Sequence, residues 1–266
     1  MLKLQFGQAT HAGRLRGSNE DRMGASIPES RGQARSHGWL FVVADGVSGL
    51  GLGDVAADVA VRLMRDEFFD APPCSSLVVV LRDLILRANT AVHDETLLPE
   101  RRGKRMGTTV VACVVRGEEA VAARVGGSRL YQIRGGEIVF ATADHTQGNE
   151  PRNTQLLTHA EQSDLGISHT LTPSLGSSAF VHVDTITLPI RPGDRFVLCT
   201  GGVYKAMYDD EIARIASKEE HPQGVADEIV QHAIAVDGSD NATAQVIRIE
   251  SIENAADSRR RAHQVA

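Results

Sequence analysis

Two long helical patterns follow each other directly in this sequence, after one buried strand and before a run of short strands. The strand pattern is the apolar run at 38–44, which Asp45 and Gly46 close as a turn. Apolar residues then recur at three-to-four-residue spacing from 55 to 68 and again from 77 to 92, as amphipathic helices require. Strands framed by helix pairs, without strand-helix alternation, predict an α+β fold built on antiparallel sheets.

The second half of the chain predicts mostly strands. Four short apolar segments between 107 and 141 are separated by turn residues and predict an antiparallel meander. Residues 142–180 are polar and irregular, which is typical of a functional flap or a mobile connection. Further strands are expected near 181–188, 194–200 and 243–250, and helical segments are expected from Asp209 and over 222–236.

Composition indicates one large domain. The chain has 266 residues, of which 42% are hydrophobic and 23% charged, so it is long enough to bury a sizeable core. Residues 253–266 show no apolar periodicity and are expected to be disordered. We therefore predict a single domain over 1–252 followed by a disordered tail.

Charge and cysteine content exclude several classes of function. The formal net charge of -6 provides no overall basic field, so neither nucleic acid nor a membrane is an expected partner. The three cysteines are widely separated and form neither a disulfide framework nor a zinc-binding pattern. The polar N-terminus does not resemble a signal peptide, and no apolar run approaches about 20 residues. A cytoplasmic location is therefore expected.

Acidic residues at the ends of predicted strands are the candidates for chemistry. Asp45 closes the first buried strand, Asp240 precedes the last strand, and Glu20 and Asp21 stand together in the segment GSNED. Taken singly, these residues also fit ordinary turns. Strand ends that meet at one sheet edge would bring the carboxylates together, and clustered carboxylates bind hard cations such as Mg²⁺ or Mn²⁺.

Eight short motifs occur in a fixed order along the chain. They are GRLRGSNED (13–21), ADGVSG (44–49), GDVAA (53–57), MGTT (106–109), GGSR (126–129), ADHT (143–146), CTGG (199–202) and SDN (239–241). In this order and spacing they resemble the metal-dependent protein phosphatase family of type 2C, called PPM, and in particular its bacterial members. Each motif alone is weak, but the ordered series is specific.

The resemblance implies both a fold and an activity. The fold is a four-layer α-β-β-α sandwich, in which two central antiparallel sheets are flanked by helix pairs. The activity is that of a serine/threonine protein phosphatase in signalling, with a phosphorylated protein as substrate and a serine/threonine kinase as the opposing enzyme. Two Mn²⁺ or Mg²⁺ ions at the edge of the sheets would activate a bridging water that attacks the phosphorus.

The same resemblance assigns roles to the acidic candidates. Asp45 would bridge both ions, while Glu20 and the carbonyl of Gly46 would bind one of them. Asp21 would support the ligands of that ion, and Asp240 would bind the other.

Three further side chains are candidates by resemblance. Arg16 would hold the substrate phosphate with its planar guanidinium, although outside this motif it would be interpreted as a surface arginine. His11 stands where many family members have an aspartate near the metals, and His145 fits an Asp-His pair common in the family. Either histidine is a candidate replacement ligand, although exposed or packed histidines are commoner.

Two positions depart from the family pattern. Gly127 and Gly201 stand where the family has aspartates. The aspartate that matches Gly201 is a ligand of the same ion as Asp240, whereas the one that matches Gly127 belongs to an additional, weaker metal position. Two hypotheses follow: a phosphatase with a weakened metal site, and a pseudophosphatase that keeps the fold as a binding or regulatory module without catalysis.

Overall fold

Two five-stranded antiparallel sheets form the centre of the computed structural model, which describes residues 2–47, 51–101, 104–142, 173–218 and 220–252. The strands are β1 (Lys3–His11), β2 (Asp21–Ser26), β3 (Trp39–Asp45), β4 (Val110–Arg116), β5 (Glu119–Val125), β6 (Arg129–Arg134), β7 (Glu137–Ala141), β8 (Asp184–Pro189), β9 (Arg195–Cys199) and β10 (Ala242–Ser251). One sheet has the order β1-β10-β9-β6-β7, and the other has the order β2-β3-β4-β5-β8.

Helices cover the outer faces of both sheets. They are α1 (Arg31–Ser36), α2 (Gly53–Glu67), α3 (Leu77–Thr96), α4 (Gly201–Tyr204), α5 (Asp209–Ala216) and α6 (Pro222–Val236). The apolar faces of α2 and α3 pack on the β2-to-β8 sheet, and those of α4, α5 and α6 pack on the other sheet. A third apolar cluster, which includes Phe41, Phe196 and Ile247, fills the space between the sheets. The predicted four-layer α-β-β-α sandwich is confirmed.

The predicted meander is divided between the two sheets. β4 pairs with β5 in one sheet, whereas β6 pairs with β7 in the other. The chain passes between the sheets at Gly126, whose φ of 93° lies in the left-handed region that favours glycine. The prediction of one continuous meander is wrong, because turn residues do not distinguish a hairpin from a crossing between sheets.

Several elements were not predicted from the sequence. They are β1, β2, α1 and α4. β1 buries few side chains, but it pairs with β10 along its whole length, from Lys3 opposite Ser251 to His11 opposite Ala242. Most of the predicted flap, at 143–172, and the predicted disordered tail lie outside the described residues. None of the helices within the described ranges has the length and apolarity needed to cross a bilayer.

Candidate active site

Strand pairing brings two of the predicted carboxylates together. Asp21 begins β2 and Asp45 ends β3, and the antiparallel register places these two residues opposite each other. Next to them, the N–H of Gly46 donates a hydrogen bond to the carbonyl of Glu20 at 3.3 Å. Asp21, Asp45 and the Glu20 backbone therefore lie together where β2 begins and β3 ends.

Asp21 is buried and connects the two sheets. Its Oδ2 accepts hydrogen bonds from the hydroxyls of Thr243 on β10, at 2.6 Å, and Thr200 after β9, at 2.8 Å. Its Oδ1 is buried without a hydrogen-bond partner. Burial and the nearby charge of Asp45 raise the pKa of Asp21 well above its usual value, although the two hydroxyl hydrogen bonds oppose this rise.

Asp45 is held at both its backbone and its side chain. Its carbonyl accepts a hydrogen bond from the N–H of Thr109 at 2.8 Å, and its Oδ2 accepts one from the N–H of Gly201 at 3.3 Å. Burial raises the pKa of Asp45 from 3.8 to about 6, the ammonium of Lys205 opposes this rise, and the charge of Asp240 adds to it. Asp45 thus lies among charges of both signs.

Asp240 and Arg16 form an ion pair beside this cluster. The Nη2 of Arg16 lies 3.0 Å from the Oδ1 of Asp240, and the two side chains are 40% and 27% exposed. The next residue, Asn241, accepts a hydrogen bond from the N–H of Glu20 at 2.8 Å and donates one to the carbonyl of Ser18 at 2.9 Å. These bonds hold the loop that carries Arg16 and Glu20 against the start of β10.

Glu20 lies against the first residue of α2. A Cβ atom at Gly53 would lie 2.7 Å from the Oε2 of Glu20, and a Cβ at Gly46 would lie 2.8 Å from the carbonyl oxygen of Glu20. Both glycines therefore permit this close approach. A carboxylate beside the first turn of a helix is also electrostatically favourable.

Comparison with known proteins identifies the family that shares this arrangement. The family described as Protein phosphatase 2C matches residues 18–235, which is most of the chain. The chain belongs to the protein phosphatase 2C family. The predicted family is therefore confirmed, and the comparisons do not favour a pseudophosphatase over an enzyme.

Named relatives of this protein phosphatase 2C member include a curated protein and two solved structures. The serine/threonine phosphatase stp of Listeria monocytogenes is 28% identical over 243 residues, which cover 90% of this chain and 93% of the relative. PppA, described as a key regulatory component of T6SS in Pseudomonas aeruginosa, is 28% identical with a TM-score of 0.71 and covers 92% of this chain and 97% of its own. The catalytic domain of the phosphatase PstP, in complex with 2 manganese ions, shares the fold with a TM-score of 0.72 at 22% identity, over 94% of this chain and 100% of that one.

The two glycines that depart from the phosphatase 2C pattern both adjoin side chains of α4 or its C-cap. A Cβ atom at Gly201 would lie 3.0 Å from the Nζ of Lys205 and 3.5 Å from the Oδ2 of Asp45. A Cβ at Gly127 would lie 3.1 Å from the hydroxyl of Tyr204. Tyr204 and Lys205 therefore border the two positions at which the sequence resemblance leads us to expect aspartates.

Sequence reasoning did not select four residues that shape this phosphatase site. Thr200 and Thr243 donate hydrogen bonds to Asp21. Their sequence position could have indicated a role in the site, because Thr200 lies within the motif CTGG and Thr243 lies just after SDN. Tyr204 and Lys205 were also missed. For Lys205 the signal was its four-residue spacing from the glycine at 201, which has meaning only once that segment is known to be helical.

The two candidate histidines have different outcomes. His11 is exposed at the end of β1, and its Nδ1 accepts a hydrogen bond from the N–H of Gly13 at 2.9 Å. That nitrogen is thus engaged in the turn that follows β1. His145 lies outside the described residues. A ligand role for either histidine stays a prediction.

The described residues suit a divalent cation beside Asp45 and Gly46. The charges of Asp45 and Asp240 both raise the pKa of Asp21, so negative charge accumulates here, and one buried oxygen of Asp21 has no hydrogen-bond partner. Across the described part of the chain, no three His, Cys, Asp or Glu side chains gather closely enough to enclose an ion by themselves. A cation here would therefore take backbone carbonyl and water oxygens as additional ligands, which hard cations accept.

We expect Asp45→Asn to stabilise the cation-free protein. Because folding raises the pKa of Asp45 to about 6, its contribution to stability is fully present below about pH 4 and is lost as the pH rises through about 6. The amide avoids this loss, so at about pH 8 the free energy of unfolding should rise by about 1 to 3 kcal/mol. The gain should shrink towards zero as the pH falls to about 4.

Urea denaturation in EDTA at several pH values measures this effect. Asp58→Asn is the matched control, because it makes the same chemical change at a half-exposed position of α2. That control should show no comparable gain. An Asp45→Asn protein no more stable than the wild type at about pH 8 would contradict the expectation.

Proposed function

We propose that this chain is a serine/threonine protein phosphatase, which hydrolyses phosphoserine and phosphothreonine with a water activated by a divalent cation. The observation that carries the proposal is that Asp45, Asp240 and Arg16 lie together at one sheet edge of a phosphatase 2C fold. The names of the relatives support the same class, a phosphoric monoester hydrolase. We propose 1–252 as the catalytic domain, which ends one residue after β10.

Arg16 is the proposed phosphate-binding group. Its guanidinium is 40% exposed, and one of its nitrogens pairs with Asp240. A guanidinium has several N–H donors in a planar fork, so this single contact leaves donors for two oxygens of a phosphate. The ion pair with Asp240 therefore orients the guanidinium without excluding substrate.

The carboxylates are the proposed cation ligands. When bound beside Asp45, Mn²⁺ or Mg²⁺ would neutralise charge on the phosphoryl oxygens and lower the pKa of a bound water. Asp45 would be the central ligand, because the N–H groups of Thr109 and Gly201 fix its backbone and its carboxylate. Glu20 and the Gly46 carbonyl would complete one side of the site.

This chemistry needs no nucleophile from the protein. Cys113 lies buried within β4, and burial raises the pKa of its thiol to about 12. A thiol with so high a pKa is not a thiolate at neutral pH. Cys199 is buried as well. A cysteine-based phosphatase mechanism therefore has no support at these two positions.

The proposal is tested by phosphate release from three peptides that share one sequence and carry phosphoserine, phosphothreonine or phosphotyrosine. We expect release from the first two, dependence on added Mn²⁺ or Mg²⁺, and loss of activity in EDTA. No release at any cation concentration from a folded protein would overturn the proposal in favour of the pseudophosphatase alternative.

We expect Arg16→Lys to raise the KM for a phosphothreonine peptide by about tenfold and to lower kcat less. Lysine keeps the charge but loses the planar fork that binds two phosphate oxygens. Steady-state kinetics with saturating Mn²⁺ measure both constants. Arg62→Lys, on the exposed face of α2, is the matched control and should leave both unchanged. A fall in kcat at constant KM would contradict the phosphate-binding role.

We further propose that the substrate is a phosphorylated protein, that a serine/threonine kinase opposes the reaction, and that it takes place in the cytoplasm. The relatives named as serine/threonine phosphatases support the first point. A comparison of phosphoproteins in cells with the wild-type chain and with its Asp45→Asn variant tests all three. Cytoplasmic phosphoserine and phosphothreonine proteins should accumulate in the variant, and no accumulation would contradict the proposal.

A further inference from the structure

Lys205 lies over the position where the family carries an aspartate. The N–H of Lys205 donates a hydrogen bond to the carbonyl of Gly201 at 3.0 Å, which places the two residues one helical turn apart. Side chains on a helix lean towards its N-terminus, so Lys205 extends back over Gly201. A Cβ atom at Gly201 would meet the Nζ of Lys205 at 3.0 Å and its Cε at 3.1 Å. The glycine therefore leaves room for the lysine.

The ammonium of Lys205 also adjoins Asp45. The same Cβ position at Gly201 would be 3.5 Å from the Oδ2 of Asp45. The ammonium of Lys205 and the carboxylate of Asp45 therefore both lie next to this Cβ position. Among the groups around Asp45, Lys205 most opposes the rise of its pKa that burial causes. An ammonium has three donors and no lone pair, so it cannot bind a metal ion and instead repels one.

Asp240, the other acidic residue on this side of the cluster, is already paired with a cation. The Nη2 of Arg16 lies 3.0 Å from its Oδ1. The two carboxylates of this side, Asp45 and Asp240, are thus each accompanied by a positively charged side chain. Glu20 and Gly46 adjoin each other beside Gly53, where they offer a carboxylate and a backbone carbonyl as oxygen ligands.

The second departing glycine has similar surroundings. The hydroxyl of Tyr204 lies 3.1 Å from the Cβ position of Gly127, and the guanidinium carbon of Arg129 lies 3.9 Å from the centre of the Tyr204 ring. Arg129 is connected to the Gly127 position only through Tyr204, and it also pairs with Asp209, so Lys205 is the positive side chain shown next to one of the two glycines. The consecutive residues Tyr204 and Lys205 thus lie next to the two glycines.

We propose that Lys205 takes the place of one divalent cation, so that this active site binds a single Mn²⁺ or Mg²⁺ ion on the Gly46 side of Asp45. The inference rests on the proposed function, since it concerns the cations of the same site. In such a phosphatase, the ammonium of Lys205 provides part of the positive charge that a relative with two metal ions obtains by binding the second ion.

The number of bound ions tests the inference without any substrate. Calorimetric titration of the full chain with Mn²⁺, together with the electron paramagnetic resonance signal of unbound Mn²⁺, gives stoichiometry and affinity. We expect one Mn²⁺ per wild-type chain and two per chain in the double variant Gly201→Asp, Lys205→Asn. Gly201→Asp alone should still bind one ion, because the new carboxylate would pair with the lysine.

Lys205→Asn alone should bind Mn²⁺ about tenfold more tightly than the wild type, since it removes a positive charge close to the ion. Lys3→Asn is the matched control, because Lys3 lies at the opposite end of β1 from the site and its loss should change neither stoichiometry nor affinity. A merely structural role for Lys205 would leave the Mn²⁺ affinity of the folded variant unchanged.

Two Mn²⁺ ions in the wild type, or a single ion in a folded double variant, would overturn the inference. The wild-type stoichiometry decides even if a variant fails to fold. Phosphate release, measured separately, distinguishes this failure from that of the proposed function. A wild-type protein that binds one ion but releases no phosphate would overturn the proposed function alone, and an active one with two ions would overturn the role of Lys205 alone.

Discussion

Asp45→Asn should lower kcat/KM for a phosphothreonine peptide by about three orders of magnitude. Asp45 is the proposed central cation ligand, and an amide in its place would bind a divalent cation far more weakly than the carboxylate does. Losing the charge stabilisation that the cation supplies costs several kcal/mol in the transition state, and about 4 kcal/mol corresponds to about 10³-fold in rate.

The same variant should be at least as stable as the wild type without cations, so unfolding will not account for this loss. Steady-state kinetics at several Mn²⁺ concentrations measure the effect, and Asp58→Asn on α2 should retain wild-type kinetics. Residual activity of Asp45→Asn within about tenfold of the wild type would show that Asp45 is not the central cation ligand.

Gly202→Ala should destabilise the protein by at least about 3 kcal/mol. A Cβ atom at this position would lie 2.0 Å from the carbonyl oxygen of Asn241 and 3.3 Å from the Cα of Ala242. Both contacts are with the backbone at the start of β10, which cannot move away without disturbing the pairing of the strands. Urea denaturation followed by circular dichroism measures the loss.

Gly201→Ala is the matched control, one residue earlier in the same helix. The nearest atoms to its Cβ would belong to the flexible end of Lys205, which can shift at little cost. Alanine is also favoured over glycine within a helix. We therefore expect a change within about 1 kcal/mol of the wild type. Equal destabilisation by the two substitutions would contradict this explanation of the paired glycines.

The helices that carry a long apolar stripe were predictable from the sequence. The patterns at 55–68 and 77–92 correspond to α2 and α3, because each helix buries one face against the same sheet. β1 was not predictable in this way. Only one of its residues, Gly7, is buried, and its pairing partner β10 is at the other end of the described chain. A strand held by a distant partner leaves little local pattern.

Asp45 and Asp240 could be selected as candidates from local sequence, because they stand at the ends of predicted strands. Asp21 was selected only through its motif, since β2 was not predicted, and the pairing of β2 with β3 places it opposite Asp45. Lys205 was not predictable, because its position depends on a four-residue helix that is too short to produce a periodic pattern. The two consecutive glycines also disfavour a helix in a sequence-based prediction. Only the backbone geometry shows that Gly201 faces Lys205 and Gly202 faces Asn241.

Asp21 and Asp45 differ in what they do for the fold, although they stand opposite each other. Asp21 receives hydroxyl hydrogen bonds from Thr200 and Thr243, which belong to the other sheet, so replacing it would weaken the assembly of the sandwich. A descendant that abandoned catalysis would be free to change Asp45 but would still need Asp21. Activity in related chains is therefore better judged from Asp45 and from the residues at positions 201 and 205 than from the number of acidic residues retained.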